Sequence, residues 1–179
     1  VSPKPRHGRP VIVNASSSGP GFDFAAEHSD LLFITRPVGK DVYGLLKEHN
    51  GNIKSRAAEQ GKSVKTIINP HIICADTEKE AFARRQAFID HADPVALENF
   101  FSLITGGDTV SWKGAVMDDL AVGGNMQIVG TPEQVVEKMM RLHDAGIDGI
   151  QVNFYDYLPD LEYFGERVLP LMKEAGLRN

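Results

Sequence analysis

The chain has 179 residues, 19 of them Lys or Arg and 24 Asp or Glu, which gives a formal net charge of −5. Mild acidity without a clustered basic face argues against a general nucleic-acid binder, and no apolar run approaches the roughly 18 residues that a membrane span needs. The single cysteine, Cys74, excludes an internal disulfide framework and a multi-cysteine zinc site, so a cytoplasmic protein of one domain is expected.

Residues 1–10 hold three prolines, a glycine and three basic side chains, and read as an extended connector rather than a targeting peptide. Because this connector opens on Val1, a further segment upstream is expected. Residues 10–15 form a short β-branched run of buried-strand length. Ser16, Ser17, Ser18 and Gly19 break it before a short helix over 21–28, and residues 30–35 read as a second strand. Residues 40–60 show a helical spacing in Val42, Leu45, Leu46, Ile53 and Ala57, with an expected interruption near Asn50 and Gly51, and end at Gly61.

A third strand spans 64–75. Pro70 lies in its middle, and proline cannot donate to a ladder, so a bulge, an edge or two abutting strands is implied. Thr77 and Glu80 have capping-box spacing at the head of a helix that runs to about His91. Glu78, Lys79, Glu80, Arg84 and Arg85 read as its solvated face. Residues 92–127 form a long, glycine-rich tract, helical at most over 95–104. Thr131, Pro132 and Gln134 then start another helix, with Val135, Val136, Met139, Met140 and Leu142 as its apolar face and Gly146 as its stop. A fourth strand covers 149–154, and a last helix runs from about 158 to 175. Strands alternating with helices predict an α/β fold with a parallel sheet. Four βα units, with an insertion after the third visible strand, fit half of a (β/α)8 barrel.

Three groups of residues have chemical potential. The Ser16–Ser17–Ser18–Gly19 turn, placed where a strand meets a helix N-terminus, has the donors for a phosphate, though spacing alone favours an ordinary capping turn. His71 alternates with Ile72 on an apolar strand. It can face a ligand, or it can be a satisfied buried histidine. Asn153, Tyr155, Asp156 and Tyr157 end the last strand, where barrel sites are built, and can also form a packed aromatic turn. The histidines show no metal-ligand spacing.

The ordered motifs over residues 11–26, 68–82, 129–138, 145–150 and 164–171, including Gly-Thr-Pro-Glu-Gln and Phe-Gly-Glu-Arg-Val-Leu-Pro, resemble the C-terminal half of the bacterial-luciferase-like, reduced-flavin-dependent monooxygenases. The pyrimidine, alkanesulfonate and dimethyl-sulfone monooxygenase branches are the nearest in pattern. The resemblance implies a half-barrel over 11–179, made of strands five to eight, with residues 92–127 as an insertion that closes over the site as a lid. It implies FMN, used as FMNH2 with O2 to oxygenate a small sulfur- or nitrogen-containing organic substrate, and a flavin reductase as partner. Ser17, Ser18 and Gly19 match the positions that contact the flavin phosphate, and His71 and Tyr155 match positions near the reacting ring.

The resemblance also shows departures. Gly19 stands where an acidic residue is common, and no counterpart of strands one to four is present. The chain alone is therefore expected to lack a competent site and either to self-associate or to bind a missing N-terminal half. A deazaflavin (F420)-dependent oxidoreductase of the same superfamily and a non-catalytic flavin-binding half-barrel are the alternatives.

Overall fold

The structure, a computed structural model, describes residues 6–15, 19–37, 41–105, 115–124 and 126–178. In chain order its elements are β1 (Val13–Ala15), α1 (Gly19–His28), β2 (Leu31–Phe33), α2 (Val42–Glu59), β3 (Lys65–Ile68), β4 (His71–Cys74), α3 (Glu78–Asp90) and α4 (Pro94–Thr105). There follow α5 (Ala115–Ala121), β5 (Gln127–Gly130), α6 (Pro132–Asp144), β6 (Gly149–Ile150), α7 (Tyr157–Tyr163), a π-turn (Phe164–Val168) and α8 (Leu169–Glu174). The chain divides into two compact units, one of residues 1–69 and 141–151, the other of residues 70–140 and 152–179.

In the first unit, four strands lie in the order β1-β2-β3-β6, all parallel, with Val13 opposite Leu31, Leu32 opposite Thr66 and Ile68 opposite Ile150. Parallel neighbours require crossover connections, which is why helices intervene. α2 buries Leu46, Asn50, Ile53 and Ala57, a spacing of four, three and four that defines one helical stripe. The expected break near Asn50 and Gly51 is therefore corrected: α2 is continuous. Asn50 is an amide within an apolar stripe, and it is tolerated because it is satisfied. Its Nδ2 donates to the Ala145 carbonyl at 3.2 Å, and its Oδ1 accepts from the fully buried Thr66 hydroxyl at 2.6 Å.

The same polar cluster includes Asp148, whose Oδ2 accepts from the Thr66 amide at 2.8 Å and meets the Lys54 ammonium at 2.8 Å. Partial burial alone would push its carboxyl up. The Lys54 ammonium and the Thr66 donors outweigh that effect and hold it below the ordinary carboxylate range. A carboxyl lowered on folding stabilises the native state above the unfolded value of about 3.9 and loses that contribution as pH falls through the folded value. The wild type should therefore exceed Asp148→Asn in urea stability at pH 7, and the difference should shrink on acidification below pH ~4. An unchanged difference at pH ~2 would contradict this.

In the second unit, β4 and β5 pair in parallel with His71 opposite Gln127 and Cys74 opposite Gly130. α3 lies against both strands. Ile73, Ala75, Ala81, Val122 and Val129 form a buried cluster, with Phe88, Ile89 and Tyr155 packed on it. Both expected capping boxes are present. Thr77 accepts from the Glu80 amide while Glu80 returns to the Thr77 backbone, and Gln134 and Thr131 do the same. A Cβ on Gly130 (φ +153°) would lie 2.5 Å from Gln134 Oε1, so glycine leaves room for the second box.

Several further expectations are corrected. Among the described residues the strands number six rather than four. The run over 64–75 is two abutting strands in different sheets, β3 and β4, separated at Pro70 as one of the proline readings allowed. β5, over 127–130, falls where the pattern had been read as the end of an irregular tract. That tract contains two helices, α4 and α5, with residues 106–114 outside the described ones. Met140 is exposed rather than part of the buried face of α6. The last helix widens into a π-turn, in which the Leu169 amide donates to the Phe164 carbonyl five residues back. Pro170 is the cause: it has no N–H for the Glu166 carbonyl, and its ring crowds that oxygen. Among the described residues, no helix is long and apolar enough to cross a membrane.

Candidate functional site

His71 is the first residue of β4. Its amide donates to the Met126 carbonyl at 2.8 Å, and the next amide, that of Ile72, donates to the Asn153 carbonyl at 2.9 Å. Strand alternation then sends Ile72 into the core, where it is 2% exposed, and leaves the half-buried imidazole on the other face. The bridge between His71 and Asn153 brings the segment that carries Tyr155 alongside.

Tyr155 stacks on Phe88 of α3, with ring centroids 4.0 Å apart and 28° between planes, and lies 4.8 Å from the His71 ring. Its hydroxyl oxygen is 3.2 Å from His71 Nδ1, and the hydroxyl donates to the Val122 carbonyl. That carbonyl is also 3.1 Å from His71 Nδ1. α5 has ended by this point: the Gly123 and Gly124 amides close the helix on Leu120 and Asp119. The Val122 carbonyl is thus among the oxygens that a helix end leaves without an intrahelical partner, and His71 and Tyr155 supply partners from 51 and 33 residues away.

Beside this pair, Arg85 Nε donates to Gln127 Oε1 at 2.6 Å, Gln127 Nε2 donates to Asp119 Oδ1 at 3.1 Å, and Arg85 meets Asp119 at 3.5 Å. The reading of Arg84 and Arg85 as a solvated face is corrected. Arg84 donates to the Cys74 carbonyl and pairs with Asp160, while Arg85 belongs to this partly buried network. Sequence reasoning missed Val122, Gly123, Phe88, Arg85 and Gln127. The one available signal was the Gly123–Gly124 pair, since tandem glycines commonly close a helix.

Burial pushes the Tyr155 hydroxyl up to about 12, opposed by the Arg85 charge. The side chain is therefore a proton donor, not a phenolate, at neutral pH. A spectrophotometric titration of wild type minus Tyr155→Phe should show the phenolate forming near pH 12 rather than at the ordinary value of 10. A midpoint at or below 10 would contradict the buried, hydrogen-bonded placement. Burial likewise raises the Cys74 thiol to about 11, so it stays protonated and is a poor nucleophile.

The remaining candidates are dispersed. Asp156 precedes α7 and its amide donates to Asp160, and Tyr157 is 61% exposed and meets Phe154 edge-on. Ser17 and Ser18 lie outside the described residues, and Gly19 opens α1. The first turn of α1 carries no acidic side chain, so an anion there would meet the positive end of the helix without a like charge in that turn. Among the described residues, no group of three or more His, Cys, Asp or Glu side chains is placed to hold a metal ion.

Comparison with known proteins supplies the context for this geometry. The family profile described as luciferase-like monooxygenase matches residues 1–149. The chain is 35% identical to the FMNH2-dependent dimethylsulfone monooxygenase of Pseudomonas fluorescens, over 97% of this chain and 49% of that protein. It is 31% identical to the pyrimidine monooxygenase RutA of Acinetobacter baylyi, over 96% of this chain and 48% of that one. Among solved structures, a long-chain alkane monooxygenase matches with a TM-score of 0.78 at 27% identity, covering 95% of this chain and 42% of the other. A riboflavin lyase holding modified FMN and riboflavin shares the fold, with a TM-score of 0.82 at 24% identity, over 96% and 44% of the two chains. The chain spans about half the length of the curated relatives it matches.

Proposed function

The chain belongs to the luciferase-like monooxygenase family, and from that premise we propose that it forms the C-terminal half-barrel of an FMNH2-dependent monooxygenase acting on a small sulfur- or nitrogen-containing organic substrate. The observation that carries this reading is the His71–Tyr155 pair, held by the Val122 carbonyl at the end of α5, in a chain related to FMNH2-dependent oxygenases over nearly its whole length. β1 to β3 and β6 then stand for strands five to eight, and residues 92–127 for the insertion that closes as a lid. The exclusively parallel pairing of the described strands supports that assignment.

By the family resemblance Ser17, Ser18 and Gly19 would hold the phosphate, and the first turn of α1, which begins at Gly19, carries no acidic side chain. Reduced FMN supplies, when bound, the electrons with which O2 is activated. The work of the chain's own residues is to orient and to move a proton: His71 carries one, and Tyr155 stays protonated and holds the imidazole in place.

A flavin reductase supplies the reduced cofactor in this reading. β1 is the outer strand of its sheet, with Val11, Ile12 and Val13 exposed, which supports pairing with an N-terminal half or with another copy. Titrating the full-length natural protein with FMN, FMNH2 and F420 tests the proposal. Reduced FMN is expected to bind at least about tenfold more tightly than F420, a difference of about 1.4 kcal/mol. Tighter binding of F420 than of either FMN form would assign the protein to deazaflavin chemistry instead.

A further inference from the structure

We infer that the end of α5, through the Val122 carbonyl and Gly123, is a positioning device that fixes His71 in the Nδ1–H tautomer and so leaves Nε2 as its proton-accepting nitrogen. The inference deepens the proposed role of His71 and rests on that reading for its functional meaning.

The argument is one of donors and acceptors. A carbonyl oxygen can only accept, and it lies 3.1 Å from Nδ1. The other neighbour of Nδ1 is the Tyr155 hydroxyl oxygen at 3.2 Å, and that hydroxyl's single proton is already donated to the same carbonyl. An unprotonated Nδ1 would set its lone pair against two oxygens with no hydrogen between them. A protonated Nδ1 satisfies both contacts, and the tautomer follows from the bond its nitrogen makes. Nε2, which makes no hydrogen bond among the described residues, is then the acceptor.

Gly123 makes this approach possible. Its φ is +90°, and a Cβ built on it would fall 2.8 Å from Nδ1 and closer still to Cε1 of the same ring. Any other residue would push the imidazole off the carbonyl. Gly124 provides an internal control. Its φ is +71°, a similar backbone demand, yet its Cβ would meet only Leu120 Cδ2 at 3.3 Å. Substitution at 123 strains the turn and displaces His71, whereas substitution at 124 strains the turn alone.

The test is a 15N spectrum of the histidine ring nitrogens in the labelled 179-residue chain, with His71 assigned by comparison with His71→Gln. In its neutral form the wild-type His71 ring should be protonated on Nδ1, and Tyr155→Phe and Gly124→Ala should keep that signature. Gly123→Ala should convert most of the neutral population to the Nε2–H form. A wild-type Nε2–H ring overturns the inference, as does a folded Gly123→Ala protein with unchanged His71 signals. If Gly123→Ala does not fold, the wild type and Tyr155→Phe decide, and Nε2–H in either one is fatal. No flavin is needed for this readout. A chain that keeps the Nδ1–H signature while its full-length form fails to bind FMN would refute the functional reading alone.

Discussion

On the proposed function, replacing His71 with Ala should lower turnover of the organic substrate by about 10²- to 10⁴-fold, the range associated with a positioned acid–base side chain. The affinity for FMN should change by no more than about threefold. The asymmetry follows from the structure. His71 contributes to its surroundings through Nδ1, where Tyr155 retains its own bond to the Val122 carbonyl and its stacking on Phe88 when the imidazole is removed. The neighbouring packing therefore persists while the proposed proton carrier is lost. Steady-state rates with a coupled flavin reductase, beside flavin fluorescence quenching for affinity, measure the two quantities separately. A rate loss below about tenfold would remove His71 from the chemistry.

The second large effect concerns stability. Ile73 is 2% exposed on β4 and belongs to the cluster with Ala75, Ala81, Val122 and Val129. Ile73→Ala deletes methyl groups from a packed interior and leaves a cavity that its neighbours fill only in part, at an expected cost of about 2–5 kcal/mol. Ile73→Val should cost about 0.5–1.5 kcal/mol. Urea unfolding of the three proteins measures the series. A loss under about 1 kcal/mol for the alanine variant would mean that the cluster collapses around the vacancy. The cavity would also adjoin Val122, so the larger substitution is expected to loosen the carbonyl that holds His71, and the histidine spectrum should broaden with it.

The parts of this protein that the sequence by itself determined are those governed by neighbours three or four residues apart. Thr77 with Glu80 and Thr131 with Gln134 lie one helical turn apart, and both capping boxes formed as expected. Pro70 predicted a discontinuity because a residue without an N–H cannot serve a ladder, and there β3 ends and β4 begins. The family motifs are likewise linear, so the luciferase-like resemblance and the candidacy of His71 and Tyr155 were legible from order and spacing.

Only tertiary structure decided the rest. Asn50 looked like a helix break because an amide in an apolar stripe is costly unless paired, and its partners are Thr66 and, 95 residues away, Ala145. β5 has four residues, too few for periodicity to reveal, and exists because β4 offers it a parallel partner. Arg85 resembled a solvated charge until Gln127 and Asp119 were brought to it. Val122 acts through a backbone carbonyl, which no residue type encodes. Gly123 matters because an imidazole 52 positions earlier in the chain occupies the space where its Cβ would be. Local rules act through covalent neighbours and survive in the linear sequence, whereas satisfied polar groups and excluded volume depend on which distant atoms the fold brings together.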